Sequence, residues 1–447
     1  MLIERIGYPS ASRNELESLP TGVWRYRSFL PTLSPEDVVT LGEGGTPLLR
    51  AERLAKEVGL KNLLIKDESR NPTGSFMDRG ATVLVSLARG KNTKECSCNT
   101  TGNLGASLAA YCAKAGINAR IKVNPNTDQG KLYQMLAYGA DLGTSAFDTG
   151  GKTGLEVDAA NPYLLEGEKT TGFEILQDLE WKGPDVIVVP VGTGGHLSMV
   201  WRSIKELREA GIIEGSGCRL LGVRLEKPAA PNPSGRAVGT GGGFPLAELA
   251  ESAPYFRKEA DIATEESGGA SLYTAPEETI AATGLLAKTE GIFAEPSAAS
   301  VVAAILKATR EGSIGRTETV VGVITGAGLK DTRAVSRIAK EARRIAPQLA
   351  YASPSPKIGD TKLAMLRLLQ RQPGYGYEIW RTLRADRSIS TASVYQHLLE
   401  LEGFAFVRKR GSVVSSGRER VLYELTRRGS DFLKVTSRLE RMERDQA

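Results

Sequence analysis

The chain of 447 residues is poor in histidine, cysteine and aromatic side chains, and each shortage argues against a class of protein. It contains two histidines, four cysteines and 6% aromatic residues. Four cysteines are too few for a disulfide framework in a chain of this length. They form no paired C-x-x-C motif, so we expect no structural zinc site. With only two histidines, we also expect no hydrolase built around histidine.

Long hydrophobic runs are also missing. No apolar stretch approaches the roughly 18–20 residues that cross a bilayer. The first ten residues, MLIERIGYPS, contain Glu4 and Arg5 where a signal peptide would need an apolar core. The sequence therefore predicts a cytoplasmic protein without a membrane segment.

Positive charge is concentrated at one end of the chain. Residues 351–447 contain 18 Lys and Arg against 11 Asp and Glu, whereas residues 1–350 contain 40 against 41. Because a basic appendix on a neutral body is typical of nucleic-acid binding, the last fifth of the chain is a candidate DNA-binding domain.

Apolar strands alternate with alanine-rich helices before residue 350. Continuous apolar strands between helices are typical of parallel sheets covered on both faces, which predicts an α/β body with two lobes. The predicted strands are 63–65, 121–123, 186–189, 220–223 and 320–324, and the predicted helices are 79–89, 105–115, 129–138, 196–210 and 297–311. The Gly- and Pro-rich stretch 226–275 is predicted to be a long loop with a short helix at 246–252. Residues 351–359 are the predicted linker.

Three loops rich in glycine or threonine lie at the ends of candidate strands. They have the sequences TTGNLGAS (100–107), PVGTGGH (190–196) and TGAGLKD (325–331). Backbone N–H groups at such turns bind anions, most strongly where a helix begins. One such loop is weak support, because strands often end in glycine turns. Three loops at strand ends of one body favour a site for a phosphorylated small molecule.

Residues 66–80, KDESRNPTGSFMDRG, resemble the signature of the threonine synthase family. The segments GEGGTPL (42–48), TTGN (100–103) and PYLLEGEKTTGFE (162–174) follow that family's order, and the similarity extends over about residues 22–345. The family uses pyridoxal 5′-phosphate (PLP) and has the two-lobed PLP fold type II, which is tryptophan-synthase-β-like. The resemblance implies a large lobe (1–76 and 165–350), a small lobe (77–164) and a homodimer.

The resemblance also implies roles for individual residues. The PLP phosphate would be held by Gly192, Thr193, Gly194, Gly195 and His196. Asn103 would bond the ring oxygen of PLP, and Thr325 would face the pyridine nitrogen. The carboxylate of an amino acid or a phosphohomoserine-like ligand would be received by Thr100, Thr101 and Gly102. The Lys66-Asp67-Glu68 segment is expected to serve mainly the structure.

One residue departs from the family signature S-F-K-D-R, whose lysine binds PLP covalently. This chain has Met77 at that position. A thioether has no amine to bond the cofactor and no proton to exchange, so the catalytic position is expected to be inactive, and any bound PLP to be held non-covalently. Three explanations remain open. Met77 is a natural loss that leaves a binding protein, an engineered change that traps a ligand, or a change for which another lysine substitutes.

The segment 360–447 has the element order of a winged helix. Apolar spacing predicts helices at 360–371, 374–383 and 388–402, then a hairpin with strands 404–410 and 420–426 around 411–417, and a last helix at 427–441. The segment resembles the PadR-like transcription regulators.

The PadR resemblance implies two groups of DNA-contacting residues. The residues predicted to reach base edges are Thr391, Ser393, Tyr395 and Gln396. The residues predicted to meet phosphates are Arg408, Lys409, Arg410 and Arg418. A winged helix that serves only for dimerisation or protein docking remains the alternative.

Together these features predict a threonine-synthase-like, ligand-responsive DNA-binding regulator with little or no turnover. The alternative is a PLP-dependent threonine synthase, which converts O-phosphohomoserine and water to threonine and phosphate, with an added regulatory domain and in an inactivated form.

Overall fold

A computed structural model describes residues 11–100, 102–124, 127–143, 154–215, 217–225, 255–332, 358–385, 389–415 and 418–434. The chain divides into two compact units, Met1–Ile345 and Ala346–Ala447. Most of the predicted linker lies outside the described residues. None of the described helices is both long and apolar enough to span a membrane.

The first unit has ten described strands. They are β1 (Leu48–Arg50), β2 (Asn62–Asp67), β3 (Glu95–Thr100), β4 (Asn118–Val123), β5 (Asp141–Gly143), β6 (Gly154–Val157), β7 (Val186–Pro190), β8 (Arg219–Leu225), β9 (Ala270–Thr274) and β10 (Thr319–Ile324).

The helices of this unit alternate with the strands. They are α1 (Arg13–Ser18), α2 (Glu52–Val58), α3 (Met77–Gly90), α4 (Asn103–Ala115), α5 (Gln129–Ala137), α6 (Pro162–Glu168), α7 (Thr170–Asp178), α8 (Gly195–Glu209), α9 (Arg257–Glu266), α10 (Pro276–Glu290) and α11 (Pro296–Arg310). Short 3-10 helices cover Val23–Phe29, Pro35–Asp37, Glu68–Arg70 and Gly328–Lys330.

The strands form two sheets, as the α/β pattern predicts. The larger sheet has the order β1-β2-β10-β7-β8-β9, and only β1 runs antiparallel to its neighbour. The smaller sheet, β5-β4-β3-β6, is parallel throughout. All five residues of β7 are buried, as a strand covered on both faces requires.

Helices cover both faces of the larger sheet and supply two apolar clusters. One cluster joins α2, α10 and α11 to alternate residues of the strands, and the other joins α7, α8 and α9 to the remaining ones. A third cluster lies between the smaller sheet and helices α3 and α4. Because successive side chains of a strand point to opposite faces of the sheet, neighbouring residues of one strand of the larger sheet belong to different clusters.

The predicted long loop at 226–275 is wrong over its described part. Residues 257–266 form α9 and residues 270–274 form β9, the edge strand beside β8. Ala260 and Ala263 are the apolar residues that α9 buries, so the helix has only a narrow apolar face. β9 shows no alternation of buried and exposed residues, and only its last residue, Thr274, is buried. Such weak patterns predict little, and the packing on β8 and α8 decides the structure. The predicted helix at 246–252 lies outside the described residues.

The second unit has the predicted order of elements, with shifted boundaries. Its elements are α12 (Asp360–Arg371), β11 (Gly374–Tyr375), α13 (Gly376–Leu383), α14 (Thr391–Gly403), β12 (Val407–Ser415) and β13 (Arg418–Leu425), and residues 427–434 are helical. The sheet order is β11-β13-β12. Leu366, Ile379, Leu398 and Phe406 are among the residues of its single core.

The boundaries of α13, α14 and the two wing strands differ from the prediction, each for a local reason. Residues 374–375 pair with β13, so α13 begins at Gly376 rather than at 374. The Ser390 hydroxyl accepts from Ser393 N at 3.2 Å and caps α14, which therefore begins at Thr391. Strand β12 runs from Val407 to Ser415 rather than from 404 to 410, and β13 begins at Arg418 rather than at 420, because cross-strand pairing continues past a bulge between Lys409 and Gly411.

Candidate cofactor site and nucleic-acid interface

The segment before Met77 is hydrogen-bonded to the third glycine-rich loop. Phe76 N donates to Thr325 O at 3.1 Å, and Ala327 N donates to Gly74 O at 2.9 Å. Ser75 and Gly326 form an antiparallel bridge between these bonds. Residues 74–77 therefore lie along the end of β10, where Thr325 is buried.

Met77 begins α3 in this setting. Its N–H donates to the Ser75 hydroxyl at 3.3 Å, and its half-buried side chain packs against the apolar cluster of the smaller sheet. The next residue fixes the turn, since the Asp78 carboxylate accepts from the N–H and the hydroxyl of Thr73 at 2.7 Å each. Burial raises the pKa of Asp78.

The first loop contacts a buried ion pair. Asn103 Nδ2 donates to Glu295 Oε1 at 2.8 Å, and Lys131 Nζ lies 3.3 Å from Glu295 Oε2. Both charged side chains are almost fully buried, at 6% exposure for Lys131 and 3% for Glu295. A Cβ placed on Gly102 would lie 2.3 Å from Lys131 Cδ, and one on Gly326 would lie 2.3 Å from Glu295 Oε1. Glycine at these two positions is what lets the ion pair lie against both loops.

The second loop is held by hydrogen bonds where α8 begins. Phe256 N donates to Thr193 O at 2.9 Å, and Gly195 N donates to the Thr193 hydroxyl at 3.3 Å. Gly194 has φ +92°, and a Cβ there would lie 2.5 Å from the carbonyl oxygen of Phe256. A side chain at residue 194 is therefore excluded twice, by conformation and by contact.

His196 links this loop to the residue before Met77. Its ring stacks on Phe76 with centroids 4.2 Å apart, and Nε2 lies 3.1 Å from the Thr171 hydroxyl. Burial lowers the pKa of His196 to about 4, so its imidazole is neutral at neutral pH.

The Lys66-Asp67-Glu68 segment belongs to a buried ion network. Lys66 Nζ lies 3.0 Å from Glu174 Oε2, and Arg79 bonds both Glu68 and Glu174 at 2.6 Å. The arginine holds the pKa of Glu174 well below its usual range despite the opposing effect of burial. These contacts give the segment a structural role.

The C-terminal unit presents the predicted DNA-contacting residues on two elements. Thr391, Ser393, Tyr395 and Gln396 lie in the first two turns of α14, and the side chain of Tyr395 is 40% exposed. On β12, Arg408 Nη2 lies 2.6 Å from Glu424 and Arg410 Nη1 lies 3.5 Å from it. Lys409 lies 3.1 Å from Glu402. The three side chains are 47–71% exposed, and all three are paired to carboxylates.

Three predicted site residues cannot be placed fully. Thr101 lies outside the described residues. Thr100 ends β3 and Arg418 begins β13, but their side chains are outside the described part of the chain.

Comparison with known proteins adds what geometry alone does not give. Residues 39–326 match the family described as pyridoxal-phosphate dependent enzyme, and residues 365–435 match the PadR-like transcriptional regulator family. The threonine synthase of Methanocaldococcus jannaschii is 38% identical over 360 residues, covering 75% of this chain and 87% of the relative. That of Halalkalibacterium halodurans is 35% identical over 328 residues, covering 68% and 88%.

The chain belongs to the threonine synthase family of PLP-dependent enzymes. Threonine deaminase isoform 2 from Solanum lycopersicum shares the fold, with a TM-score of 0.53, 21% identity and coverage of 76% of this chain and 98% of that one. The C-terminal unit of the present chain is PadR-like and is additional to its PLP-dependent body. The predicted fold type II body with a winged helix is therefore confirmed.

Family membership implies PLP, and the described residues fit it. Oδ1 of Asn103 and Nδ1 of His196 are buried without a hydrogen-bond partner among the described residues. Such atoms are costly unless a ligand or water satisfies them. The glycine loop at the start of α8 also offers backbone N–H groups to a phosphate. Bound there, PLP would act as an electron sink for bonds at the α-carbon of an amino acid.

Sequence reasoning missed Lys131 and Glu295. Lys131 lies in the first turn of α5 after the Asp128 cap, and Glu295 directly precedes Pro296 at the start of α11. Local sequence patterns do not show that a charged residue will be buried beside a glycine loop, so they gave no signal for either residue.

Proposed function

We propose that this protein is a ligand-responsive transcription regulator. A threonine-synthase-like body would bind PLP with an amino acid, phosphohomoserine or a related ligand, and a PadR-like winged helix would bind DNA, as a homodimer. The observation that carries the proposal is Met77, at the start of α3 and next to Phe76, where the family signature has lysine. No amine at residue 77 is available to bond the cofactor or to move protons.

In this proposal the loops hold the ligand without turnover. The residues proposed to hold the PLP phosphate are Gly192, Thr193, Gly194, Gly195 and His196. Asn103 orients the ring through its oxygen, and Thr325 faces the pyridine nitrogen from the end of β10. The carboxylate of the amino acid lies on the loop 100–102. The family reaction needs proton transfers that a positioned base accelerates by about 10²–10⁴ each, so loss of the lysine removes most of the rate.

The DNA-binding half of the proposal is supported by charge and shape. The exposed start of α14 is the usual recognition element of such domains. Arg408, Lys409 and Arg410 provide cations on the wing, although Glu402 and Glu424 offset part of their charge.

The test is DNA binding of the full chain as a function of ligand and salt. Using a fragment of its own promoter and a scrambled fragment, we expect tighter binding to the promoter and a change in affinity when PLP with phosphohomoserine or threonine is added. Neutralising Arg408, Lys409 and Arg410 together should flatten the salt dependence by up to about three phosphate contacts. Equal affinity for both fragments under all conditions would refute the proposal.

The second candidate is a threonine synthase with a regulatory domain, and similarity over 75% of the chain favours it. It predicts that Met77→Lys restores threonine formation from O-phosphohomoserine. A Met77→Lys protein that binds PLP covalently and still forms no threonine would leave the regulator as the better account.

A further inference from the structure

A lysine amine remains in the candidate site although residue 77 is methionine. Lys131 and Lys330 are two buried lysines near the glycine loops. Lys330 donates to Thr73 O at 2.8 Å and to Gln134 Oε1 at 3.1 Å. Lys131 instead shares Glu295 with Asn103, through the two oxygens of one carboxylate.

The position of Asn103 relates this amine to the cofactor. In the proposed site Asn103 bonds the ring oxygen of PLP, and in PLP the carbon beside the one that bears this oxygen carries the aldehyde. Lys131 Nζ and the Asn103 amide contact the two oxygens of the same Glu295 carboxylate. Its side chain also lies on Gly102, since a Cβ there would be 3.1 Å from Nζ. The amine therefore lies beside both the side chain proposed to bond the ring oxygen and the loop proposed to receive the amino-acid carboxylate.

We propose that Lys131 replaces the missing lysine as the residue that bonds PLP covalently. This inference rests on the proposed cofactor site and changes how the cofactor is held. Glu295 takes a proton from the Lys131 ammonium, and the neutral amine adds to the aldehyde carbon. The aldehyde oxygen leaves as water, and a carbon–nitrogen double bond joins Lys131 to the cofactor. No oxidant or other reactant is required.

The local chemistry suits this step. A buried lysine on a flexible stem is the residue type that forms such bonds, and a carboxylate beside it supplies the proton acceptor. Imine formation also removes the ammonium charge that pairs with Glu295. If the imine nitrogen keeps a proton, the Glu295 carboxylate would stabilise that positive charge. The helix start at Gln129 is anchored by Asp128, whose carboxylate accepts from Gly130 N at 2.9 Å, so Lys131 is held by a capped turn.

The experiment is borohydride trapping with PLP on the full chain. We would compare the unmodified protein, Lys131→Arg, Lys330→Arg and Met77→Lys, reduce each with borohydride after incubation with PLP, and map pyridoxyl-lysine by peptide mass spectrometry. Lys131→Arg keeps a cation for Glu295 but has no amine that can form the bond, and Lys330→Arg is the matched control.

The expected result is a label on Lys131 in the unmodified protein and in Lys330→Arg, and its loss in Lys131→Arg. The Met77→Lys protein should carry label at residue 77. Thermal unfolding checks that Lys131→Arg is folded, and equilibrium dialysis checks that it still retains PLP. As a second measurement, Glu295→Gln should slow imine formation by about 10²-fold if the carboxylate accepts the proton.

The failures are distinguishable. Retained PLP with no label, or with label only on another lysine, overturns the role of Lys131 and leaves the regulator proposal standing. PLP retained only by Met77→Lys also overturns it. If neither the unmodified protein nor Met77→Lys retains PLP, the proposed cofactor site itself is wrong.

Discussion

The imidazole of His196 is stacked on the ring of Phe76, with the ring planes 17° apart. The first residue belongs to the glycine loop at α8, and the second precedes Met77. This contact joins the proposed phosphate loop to the helix start where the family lysine is missing. Because the ring is buried against an apolar neighbour, its pKa is about 4 and it is neutral at neutral pH.

The first prediction concerns the pH dependence of stability. The folded pKa of His196 lies below the value of 6.5 for the unfolded chain, so only the unfolded state takes up the proton between these values. The stabilisation is fully present above pH 6.5 and is lost as the pH falls toward 4, by about 3 kcal/mol. His196→Asn should remove this component of the slope in urea unfolding. His397→Asn, at the chain's other histidine, is the control, and equal slopes for all three proteins would contradict the prediction.

A second prediction concerns Glu168, whose pKa burial raises to about 8. Here the folded state holds the proton between pH 4.5 and 8, so stability falls as the pH rises through this window. Glu168→Gln should therefore stabilise the protein at pH 8 by a few kcal/mol and have little effect near pH 4.5. Urea unfolding at both pH values measures this.

The matched control for Glu168 lies two residues away. Glu166 pairs with Lys169 at 2.6 Å and with Arg202 at 3.1 Å. Glu166→Gln should destabilise the protein at neutral pH, because Lys169 and Arg202 would then share only the Glu206 carboxylate, which lies 2.8 Å from each of them. If both substitutions changed the free energy of unfolding in the same direction at neutral pH, burial alone would not explain the pKa of Glu168.

A third prediction tests the proposed phosphate loop. Gly194→Ala introduces a Cβ 2.5 Å from the carbonyl oxygen of Phe256, so the loop must move. We expect PLP affinity to fall at least about tenfold, measured by spectroscopic titration, which corresponds to about 1.4 kcal/mol. Gly211→Ala, at the other end of α8, has a similar positive φ but open space around it. It should cost about 1–2 kcal/mol of stability and leave PLP affinity unchanged. Equal losses of affinity would place the phosphate elsewhere.

The fourth prediction concerns the wing. Glu424 offsets the charge of both Arg408 and Arg410. Glu424→Gln should therefore strengthen DNA binding at low salt and steepen the dependence of affinity on salt, by about one phosphate contact or more. Asp431→Asn removes the same charge beside Lys434 on the last helical segment and should have less effect. Fluorescence anisotropy at several salt concentrations compares the two, and an equal gain from both would indicate only a net-charge effect.

Much of the architecture follows from local sequence. The continuous valine and isoleucine runs of β7 and β10 predict buried parallel strands, because both faces of such strands need apolar side chains. Each strand and helix predicted for the body within the described residues has a counterpart in the structure. The winged helix could be predicted because the spacing of apolar residues in this short domain indicates each helix and strand in turn. The departure at Met77 is also legible in sequence, because the residues on both sides match the family signature.

Local sequence failed where an element's pattern is weak. Neither α9 nor β9 has a strong apolar period, and packing on α8 and β8 stabilises them instead. The strands of the wing are longer than predicted, since cross-strand pairing extends past residues that have no β-pattern of their own.

The sequence by itself determined the family, the glycine loops and the absent lysine at residue 77. Only the tertiary structure decided which charged groups meet there. Asn103, Lys131 and Glu295 come from three elements separated by up to 192 positions, and their contacts form only when α4, α5 and α11 are brought together. A charged side chain has no periodicity that reports its partner. Its burial and pairing depend on distances across the fold, which the order of residues along the chain does not contain.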